Sequence, residues 1–193
     1  MPSILSLNNR YAGLFYTAKQ IGHHFIKSKY YIECFSGLAR TAKYAIKSEI
    51  MVLNDISQFA NKKCKKLFPN AIITNMDFIE CIKKYNFEDS FFLIDPPWRL
   101  DYYEFNTNTQ FKNGETSKIN RETAAQYLKE LEEILPTIKG TYIVTLEAKK
   151  KIKSPYSKLV VHTHSRLFGN KPKTMMFSNK PLEIQIPQII DYV

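Results

Sequence analysis

The stretch Phe91-Phe92-Leu93-Ile94-Asp95-Pro96-Pro97-Trp98 joins four apolar residues to an acid, two prolines and an aromatic ring. Four consecutive apolar residues that end at a charge are typical of a strand buried on both faces, and such strands lie at the centre of parallel sheets. A specified tetrapeptide such as Asp-Pro-Pro-Trp occurs by chance in only about one chain in a thousand of this size. The stretch therefore predicts a central strand whose carboxyl end carries an unusual turn.

Strands and helices are predicted to alternate on both sides of this strand. The other strands are expected over residues 30 to 35, 50 to 53, 71 to 74, 141 to 146, 159 to 164 and 174 to 178. Apolar residues at helical spacing predict helices over residues 14 to 26, 38 to 46, 56 to 67, 77 to 84 and 121 to 135. This order predicts an α/β fold with a mainly parallel seven-stranded sheet, right-handed crossovers and a C-terminal antiparallel hairpin.

The composition fits one globular domain over residues 1–193, because 44% of the residues are hydrophobic and can form a sizeable core. No apolar run reaches the roughly 18 residues that a membrane span needs, and the N-terminus lacks a secretory signal. We therefore expect a cytoplasmic protein with no membrane partner. Three widely spaced cysteines favour reduced core thiols over a disulfide framework or a zinc site.

The charge balance points to a polyanionic partner. There are 28 Lys and Arg residues against 18 Asp and Glu residues, a formal net charge of +10. Much of the excess lies in two clusters: Lys62, Lys63, Lys65 and Lys66, and Lys149, Lys150, Lys151 and Lys153. Each cluster taken singly is explained equally well as a solvated helix end or loop.

Three of the predicted strands end at residues that can hold a nucleotide-like ligand, and ligands of parallel sheets bind beyond these ends. Gly37 allows a close approach of the backbone and of the next helix's first amides. Asp55 can accept from both ribose hydroxyls, and Asp77 can accept from a purine amino group beside the Phe78 ring. A structural turn at Gly37 and helix capping by the two acids are the alternatives.

The fourth strand end suits the transfer of a group to an exocyclic base amine. Such an amine is a poor nucleophile because its lone pair is delocalised into the ring. Asp95 and the Pro96 carbonyl can accept from the amine protons, the prolines present no N–H that would repel them, and Trp98 can stack on the base. No metal is required for this chemistry; a purely structural turn is the alternative.

On these residues the chain resembles the S-adenosylmethionine (SAM)-dependent DNA adenine methyltransferases of the Dam-like family, which carry Asp-Pro-Pro followed by an aromatic residue. Arg10-Tyr11-Ala12-Gly13 is similar to the family's N-terminal cofactor motif and residues 33 to 37 to its glycine motif. Asn54-Asp55 is similar to its ribose-binding acid, and residues 173 to 179 to its closing strand.

The resemblance implies a Rossmann-like class I SAM-dependent methyltransferase fold, with SAM as cofactor and adenine as acceptor. Residues 1–85 would form mainly the SAM-binding half, and residues 86–193 the catalytic and substrate-binding half. The implied cofactor-binding residues are Tyr11, Gly13, Glu33, Phe35, Ser36, Gly37, Asp55, Ile56, Asp77 and Phe78. The implied catalytic residues are Asp95, Pro96, Pro97 and Trp98.

The chain departs from the family's pattern in three places. Leu14-Phe15 stands where the family has a lysine, and Ala39 stands where its glycine motif has a second glycine. The usual target-recognition region is missing, since Asp95 follows Asp77 by only 18 residues. The long polar loop over residues 99 to 120 is a candidate lid that could replace it.

Nucleic acid is the expected partner, DNA in preference to RNA. The candidate contact residues are Arg99, Tyr102, Tyr103, Lys112, Lys118, Lys171 and Lys173. Local aromatic packing under the loop is the alternative. The leading hypothesis is methylation of adenine N6 in DNA. The others are methylation of an adenine or guanine amino group in RNA, and a noncatalytic nucleic-acid-binding subunit that kept the fold.

Overall fold

The computed structural model describes residues 17–45, 48–96, 124–147, 149–161 and 173–182. Within these ranges seven strands form one sheet. They are β1 (Tyr30–Glu33), β2 (Ile50–Asn54), β3 (Ile72–Thr74), β4 (Ser90–Ile94), β5 (Thr141–Glu147), β6 (Tyr156–Val161) and β7 (Lys173–Ser178). The α-helices are α1 (Ala18–Gly22), α2 (Gln58–Leu67), α3 (Phe78–Lys84) and α4 (Ala124–Ile134). Ala42–Tyr44 and Leu135–Thr137 form 3-10 turns.

The strand order is β3-β2-β1-β4-β5-β7-β6, so β4 is the middle strand of the sheet. All five residues of β4 are buried, which confirms the position predicted from its apolar sequence. The first five strands are parallel, whereas β7 runs antiparallel between β5 and β6. The mainly parallel sheet with a C-terminal antiparallel hairpin is therefore confirmed.

Alternate side chains of the central strands enter two hydrophobic clusters, one on each face of the sheet. Ile32 of β1 and Phe92 of β4 pack with residues of α3 and α4 on one face. Tyr31 and Phe91, their neighbours in sequence, pack on the other face with residues of α1 and α2. This period-2 alternation covers both faces, as a parallel sheet requires.

The helix predicted over residues 38 to 46 is wrong. The described part of this segment contains turns and the 3-10 turn Ala42–Tyr44. Gly37 and Ala39 adopt φ angles of 51° and 48°, which lie in the left-handed region and cannot belong to a right-handed α-helix. Within residues 34–45, no α-helix therefore follows β1, and the helix N-terminus expected beside Gly37 is not found.

The helix predicted over residues 14 to 26 ends earlier than expected, at Gly22. His24 and Phe25 donate backbone hydrogen bonds to Ile21 and Gly22, and these i to i+3 bonds turn the chain toward β1. The strand predicted over residues 159 to 164 begins earlier, at Tyr156. No helix in the described ranges has the length and apolar composition needed to cross a membrane.

Candidate active site at the carboxyl edge of the sheet

Three acids meet where β1, β2 and β4 end. Glu33 is paired in register with Leu53 of β2 and with Leu93 of β4. Asp55 and Asp95 each lie two residues beyond these partners, so they follow the strands on either side of Glu33. Adjacent strands are about 4.8 Å apart. The sheet therefore gathers three carboxyl groups at one edge.

Glu33 is buried and has an altered proton affinity. Its Oε1 atom accepts hydrogen bonds of 2.5 Å from the Tyr31 hydroxyl and from the Thr41 hydroxyl. Burial, together with the charges of Asp95 and Asp55, raises the pKa of Glu33 to about 7, although the two hydroxyl donors lower it. Without a ligand, Glu33 is therefore partly protonated near neutral pH, and a bound cation would favour its charged form.

The turn after β1 is tied to the acid after β2. The Gly37 N–H donates to Asp55 Oδ2 at 2.7 Å, and the Ser57 N–H donates to Asp55 Oδ1 at 2.8 Å. Burial raises the pKa of Asp55, whereas these two hydrogen bonds lower it. The Ser57 hydroxyl, rather than Asp55, caps α2 by accepting from Ala60. Each oxygen of Asp55 has a second lone pair, so the carboxylate can also accept from two hydroxyl groups of a ligand.

Ala39 occupies a backbone conformation that glycine usually adopts. A left-handed φ costs a non-glycine residue about 1–2 kcal/mol. The Ala39 methyl group is buried in the core, which returns about 0.8 kcal/mol. The turn thus forms at a small net cost, although alanine stands at the second of its two left-handed positions.

Asp77 and Phe78 lie at the start of α3. Asp77 is its N-cap residue and accepts from the Ile79 N–H at 2.9 Å, so the capping role is observed. Phe78 is buried, and its ring lies 5.1 Å from that of Phe35 and 6.0 Å from that of Tyr127. Phe35 is more exposed than Phe78. Tyr127 is a further aromatic neighbour that was not among the predicted site residues.

Asn54 is a buried residue at the end of β2, between β1 and β3, and its structural role was not predicted from the sequence. Its Nδ2 donates to the carbonyls of Cys34 and Met76, both at 3.0 Å. Its Oδ1 accepts from the Thr74 hydroxyl at 2.8 Å and from the Met76 N–H at 2.9 Å. These four bonds use both amide donors and both oxygen lone pairs, and they join the ends of β1, β2 and β3.

Two further amides hold the loop that carries Asp55. The Asn61 side chain donates to the Asp55 carbonyl at 2.8 Å. The Asn75 side chain donates to the carbonyls of Asp55 and Ile56, also at 2.8 Å. The position of the Asp55 carboxylate is therefore set by the glycine turn on one side and by two asparagines on the other.

Asp95 follows β4 and is oriented by β5. The Thr145 hydroxyl, which is fully buried, donates to Asp95 Oδ1 at 2.7 Å. Asp95 is partly buried and Pro96 is buried. Thr145 lies on the neighbouring strand, and the chain separates the two residues by 50 positions, so local sequence gave no sign of this contact.

Several predicted site residues lie outside the described ranges: Tyr11, Gly13, Pro97, Trp98, Arg99, Tyr102, Tyr103, Lys112, Lys118 and Lys171. The predicted lid over residues 99 to 120 lies outside them as well. Lys173 is the first residue of β7. Glu33, Phe35, Ser36, Gly37, Asp55, Ile56, Asp77, Phe78, Asp95 and Pro96 are described, and all of them follow or end strands at the same edge.

Comparison with known proteins gives similarity of fold. No protein-family model and no curated protein matches the sequence. Among solved structures, SMU.776 in complex with SAH has a TM-score of 0.57 at 13% identity, over 86% of this chain and 50% of that one. Spermidine synthase from Thermotoga maritima has a TM-score of 0.55 at 11% identity, over 89% of this chain and 62% of that one. An rRNA methylase from Streptococcus thermophilus has a TM-score of 0.51 at 8% identity, over 85% of this chain and 95% of that one.

These similarities and the strand order agree on one architecture. The sheet, its antiparallel C-terminal strands and its layers are those of the class I SAM-dependent methyltransferase fold. The neighbours named above include a methylase and a spermidine synthase, so the fold hosts more than one transfer reaction.

We predict that Asn54→Ala lowers the free energy of unfolding by about 3 kcal/mol, because it leaves buried carbonyl and N–H groups without partners. Asn75→Ala is the matched control, since it also removes two hydrogen bonds to carbonyls but at an exposed position, and it should cost less than about 1 kcal/mol. Urea unfolding measures both variants. Equal losses would contradict the role assigned to Asn54.

We predict that the stability gained by Glu33→Gln grows with pH. The folded protein holds the Glu33 proton up to a pKa of about 7, whereas the unfolded chain releases it near 4.5. Ionisation of buried Glu33 therefore lowers the unfolding free energy of the native protein as pH rises from 5 to 8. Glutamine does not ionise, so the variant does not lose this stability.

The unfolding free energy of Glu33→Gln relative to the unsubstituted protein should rise by roughly 2–3 kcal/mol over that range. Urea unfolding at pH 5 and at pH 8 measures it, with Glu88→Gln at an exposed glutamate as the control substitution. A difference that stays constant with pH would rule out the raised pKa.

Proposed function

We propose that this protein is a SAM-dependent methyltransferase of the Dam-like type that transfers a methyl group to N6 of adenine in DNA. The observation that carries the proposal is the placement of Asp95. It follows the central strand β4, is oriented by Thr145, and lies one strand away from Glu33. A transfer reaction needs an acceptor site directly beside the donor site, and this edge offers both.

The charges of the edge support SAM as the donor. SAM carries a sulfonium and an ammonium group. Burial and the charges of Asp95 and Asp55 raise the pKa of Glu33, and a cation bound beside Glu33 would favour its charged form. Among the described residues, both hydrogen bonds to Glu33 fall on Oε1. Glu33 Oε2 is then the oxygen that accepts from the ammonium group.

Other residues of the edge would hold the rest of the cofactor. Asp55 is held with one oxygen toward Gly37 and one toward Ser57, which suits a pair of ribose hydroxyls. Asp77, Ile56 and the partly exposed ring of Phe35 would hold the adenine ring.

Asp95 and Pro96 would prepare the acceptor amine. The carboxylate and the proline carbonyl would accept hydrogen bonds from the two N–H groups of the amine and so localise its lone pair on nitrogen. When bound, SAM would supply the methyl group: the nitrogen lone pair would form the new bond to the methyl carbon as the carbon–sulfur bond breaks, and S-adenosylhomocysteine (SAH) would be the other product. The extra proton leaves the nitrogen to Asp95 or to water. Thr145 contributes by fixing the orientation of the carboxylate.

RNA is the second candidate substrate, because the described stretch between β3 and β4 contains only the short helix α3 and no inserted recognition region. One structural neighbour is an rRNA methylase that is scarcely longer than the part matched by this chain, since the match covers 95% of it. We favour DNA on the resemblance of the Asp-Pro-Pro-Trp motif. In both cases the base must leave its stack to reach the edge.

We predict that the purified protein transfers labelled methyl groups from SAM to DNA, and that Asp95→Ala lowers the rate by at least about 100-fold. SAM affinity should stay within about threefold, because Asp95 acts on the acceptor. Asp89→Ala provides the matched control, since this exposed acid precedes β4 at the opposite end of the strand.

Separate DNA and RNA pools, followed by nucleoside analysis, identify the product. N6-methyladenine in DNA is the expected result. Methylated guanine or label only in RNA would favour the second candidate. SAM binding without transfer to either pool would favour a noncatalytic subunit, and full activity of Asp95→Ala would remove the proposed mechanism.

A further inference from the structure

We propose that Lys149, Lys151 and Lys153 form a docking surface for the phosphate backbone of the DNA substrate, beside the edge that holds Asp95. We call residues 149–153 the basic strap. The inference deepens the proposed function, because it names the surface by which the substrate reaches that site. It differs from the contact residues expected from the sequence, which lie in the loop after Trp98 and near β7.

The basic strap begins at the edge where the proposed reaction takes place. It follows β5, and the fully buried Thr145 of this strand contacts Asp95. Lys149 comes four residues after Thr145. An extended chain spans at most about 3.5 Å per residue, so their Cα atoms are within about 14 Å of each other. A nucleic-acid strand with one base at Asp95 has a neighbouring phosphate within reach of Lys149. From there the strap runs along the flank of the sheet toward Ser154, which bonds to Ser178 at the level of Ile143, so Lys151 and Lys153 would meet phosphates farther along the strand.

The backbone of the strap is fixed while its lysines face solvent. Ile152 is buried in the cluster that also contains Leu146. The Lys150 N–H donates to the Glu147 carbonyl at 2.8 Å, and the Ser154 hydroxyl donates to the Ser178 carbonyl at 2.7 Å. Lys149, Lys151 and Lys153 are exposed on either side of the Ile152 anchor. The lysine side chains therefore extend from a backbone segment that is fixed by packing and hydrogen bonds.

The connection that carries the strap is unusually short. Residues 148–155 join β5 to β6, which run parallel with β7 between them. Connections between parallel strands commonly need a dozen residues or more and contain a helix. Here, within the described residues of the connection, no helix is present. Among the described residues of this connection, a segment with four lysines therefore stands where such a helix is common.

The second lysine cluster shows that charge by itself does not select a docking surface. Lys62, Lys63, Lys65 and Lys66 are equally numerous and exposed. They lie on α2, which joins β2 to β3 at the other end of the sheet, and Cys64 of this helix packs on the opposite face from Ile152. Strands β1 and β2 separate this cluster from β4 and Asp95, whereas Lys149 follows β5, whose Thr145 contacts Asp95. This cluster is therefore a control of equal charge in a different position.

Phosphate docking has a measurable signature. Each phosphate that a lysine neutralises releases counterions, so the logarithm of the binding constant falls with the logarithm of salt concentration by about 0.9 per contact for duplex DNA and about 0.7 for single strands. Loss of three contacts should reduce that slope by about 2 to 3. A general effect of net charge would reduce the slope equally wherever the charge is removed.

The test compares two triple variants of the full chain: Lys149→Gln, Lys151→Gln and Lys153→Gln against Lys62→Gln, Lys63→Gln and Lys66→Gln. Fluorescence anisotropy with a labelled DNA oligonucleotide over a salt series gives the affinity and its slope. The strap variant should lose at least about tenfold in affinity at 0.1 M salt and about 2 to 3 in slope. The α2 variant should change affinity by less than about threefold, and SAM affinity should be unchanged in both.

Equal losses in the two variants, or no loss in the strap variant, would overturn the proposal. A strap variant that loses affinity equally for polyglutamate would also overturn it, because the surface would then bind any polyanion. The assay measures binding without methyl transfer. If the strap result is as expected but Asp95→Ala keeps full activity, the docking surface stands and the proposed catalytic mechanism fails; the reverse pair of results rejects only the docking surface.

Discussion

The Asn54 side chain holds the ends of β1, β2 and β3 together, and the candidate site depends on this contact. Its four hydrogen bonds reach the Cys34 carbonyl, the Thr74 hydroxyl and both polar backbone groups of Met76. The segments that follow these strands carry Gly37, Asp55 and Asp77. A fixed spacing between the strand ends allows the Gly37 amide to reach the Asp55 carboxylate at 2.7 Å. The positions of Gly37, Asp55 and Asp77 relative to one another therefore depend on the buried Asn54 amide.

The edge and the outer surface have opposite charge. Three carboxyl groups converge at the ends of β1, β2 and β4, and their repulsion adds to burial in raising the pKa of Glu33 to about 7. The chain as a whole carries +10, and the basic strap lies just beyond β5. A cationic donor and a polyanionic acceptor would therefore be drawn to adjacent regions of one edge, which is the arrangement that methyl transfer from SAM to a nucleic acid needs.

The sequence predicted what depends on local pattern and missed what depends on distant contacts. The apolar run of β4 was enough to place it at the centre, and strand-helix alternation was enough to predict the sheet. The helix expected after β1 was wrong because Ala39 adopts a left-handed φ, which is uncommon outside glycine. The contact between Thr145 and Asp95 spans 50 residues, so no local period could indicate it.

The central claim is that SAM binds along the carboxyl edge through Asp55 and Glu33. Isothermal titration calorimetry of SAH into the protein tests it most directly, with Asp55→Ala as the variant, Asp89→Ala as the exposed control and circular dichroism to verify folding. The account predicts one site per chain, with affinity reduced at least about tenfold by loss of the two hydroxyl acceptors of Asp55 and unchanged in the control. Absence of binding to the unsubstituted protein, or undiminished affinity in folded Asp55→Ala, would contradict it.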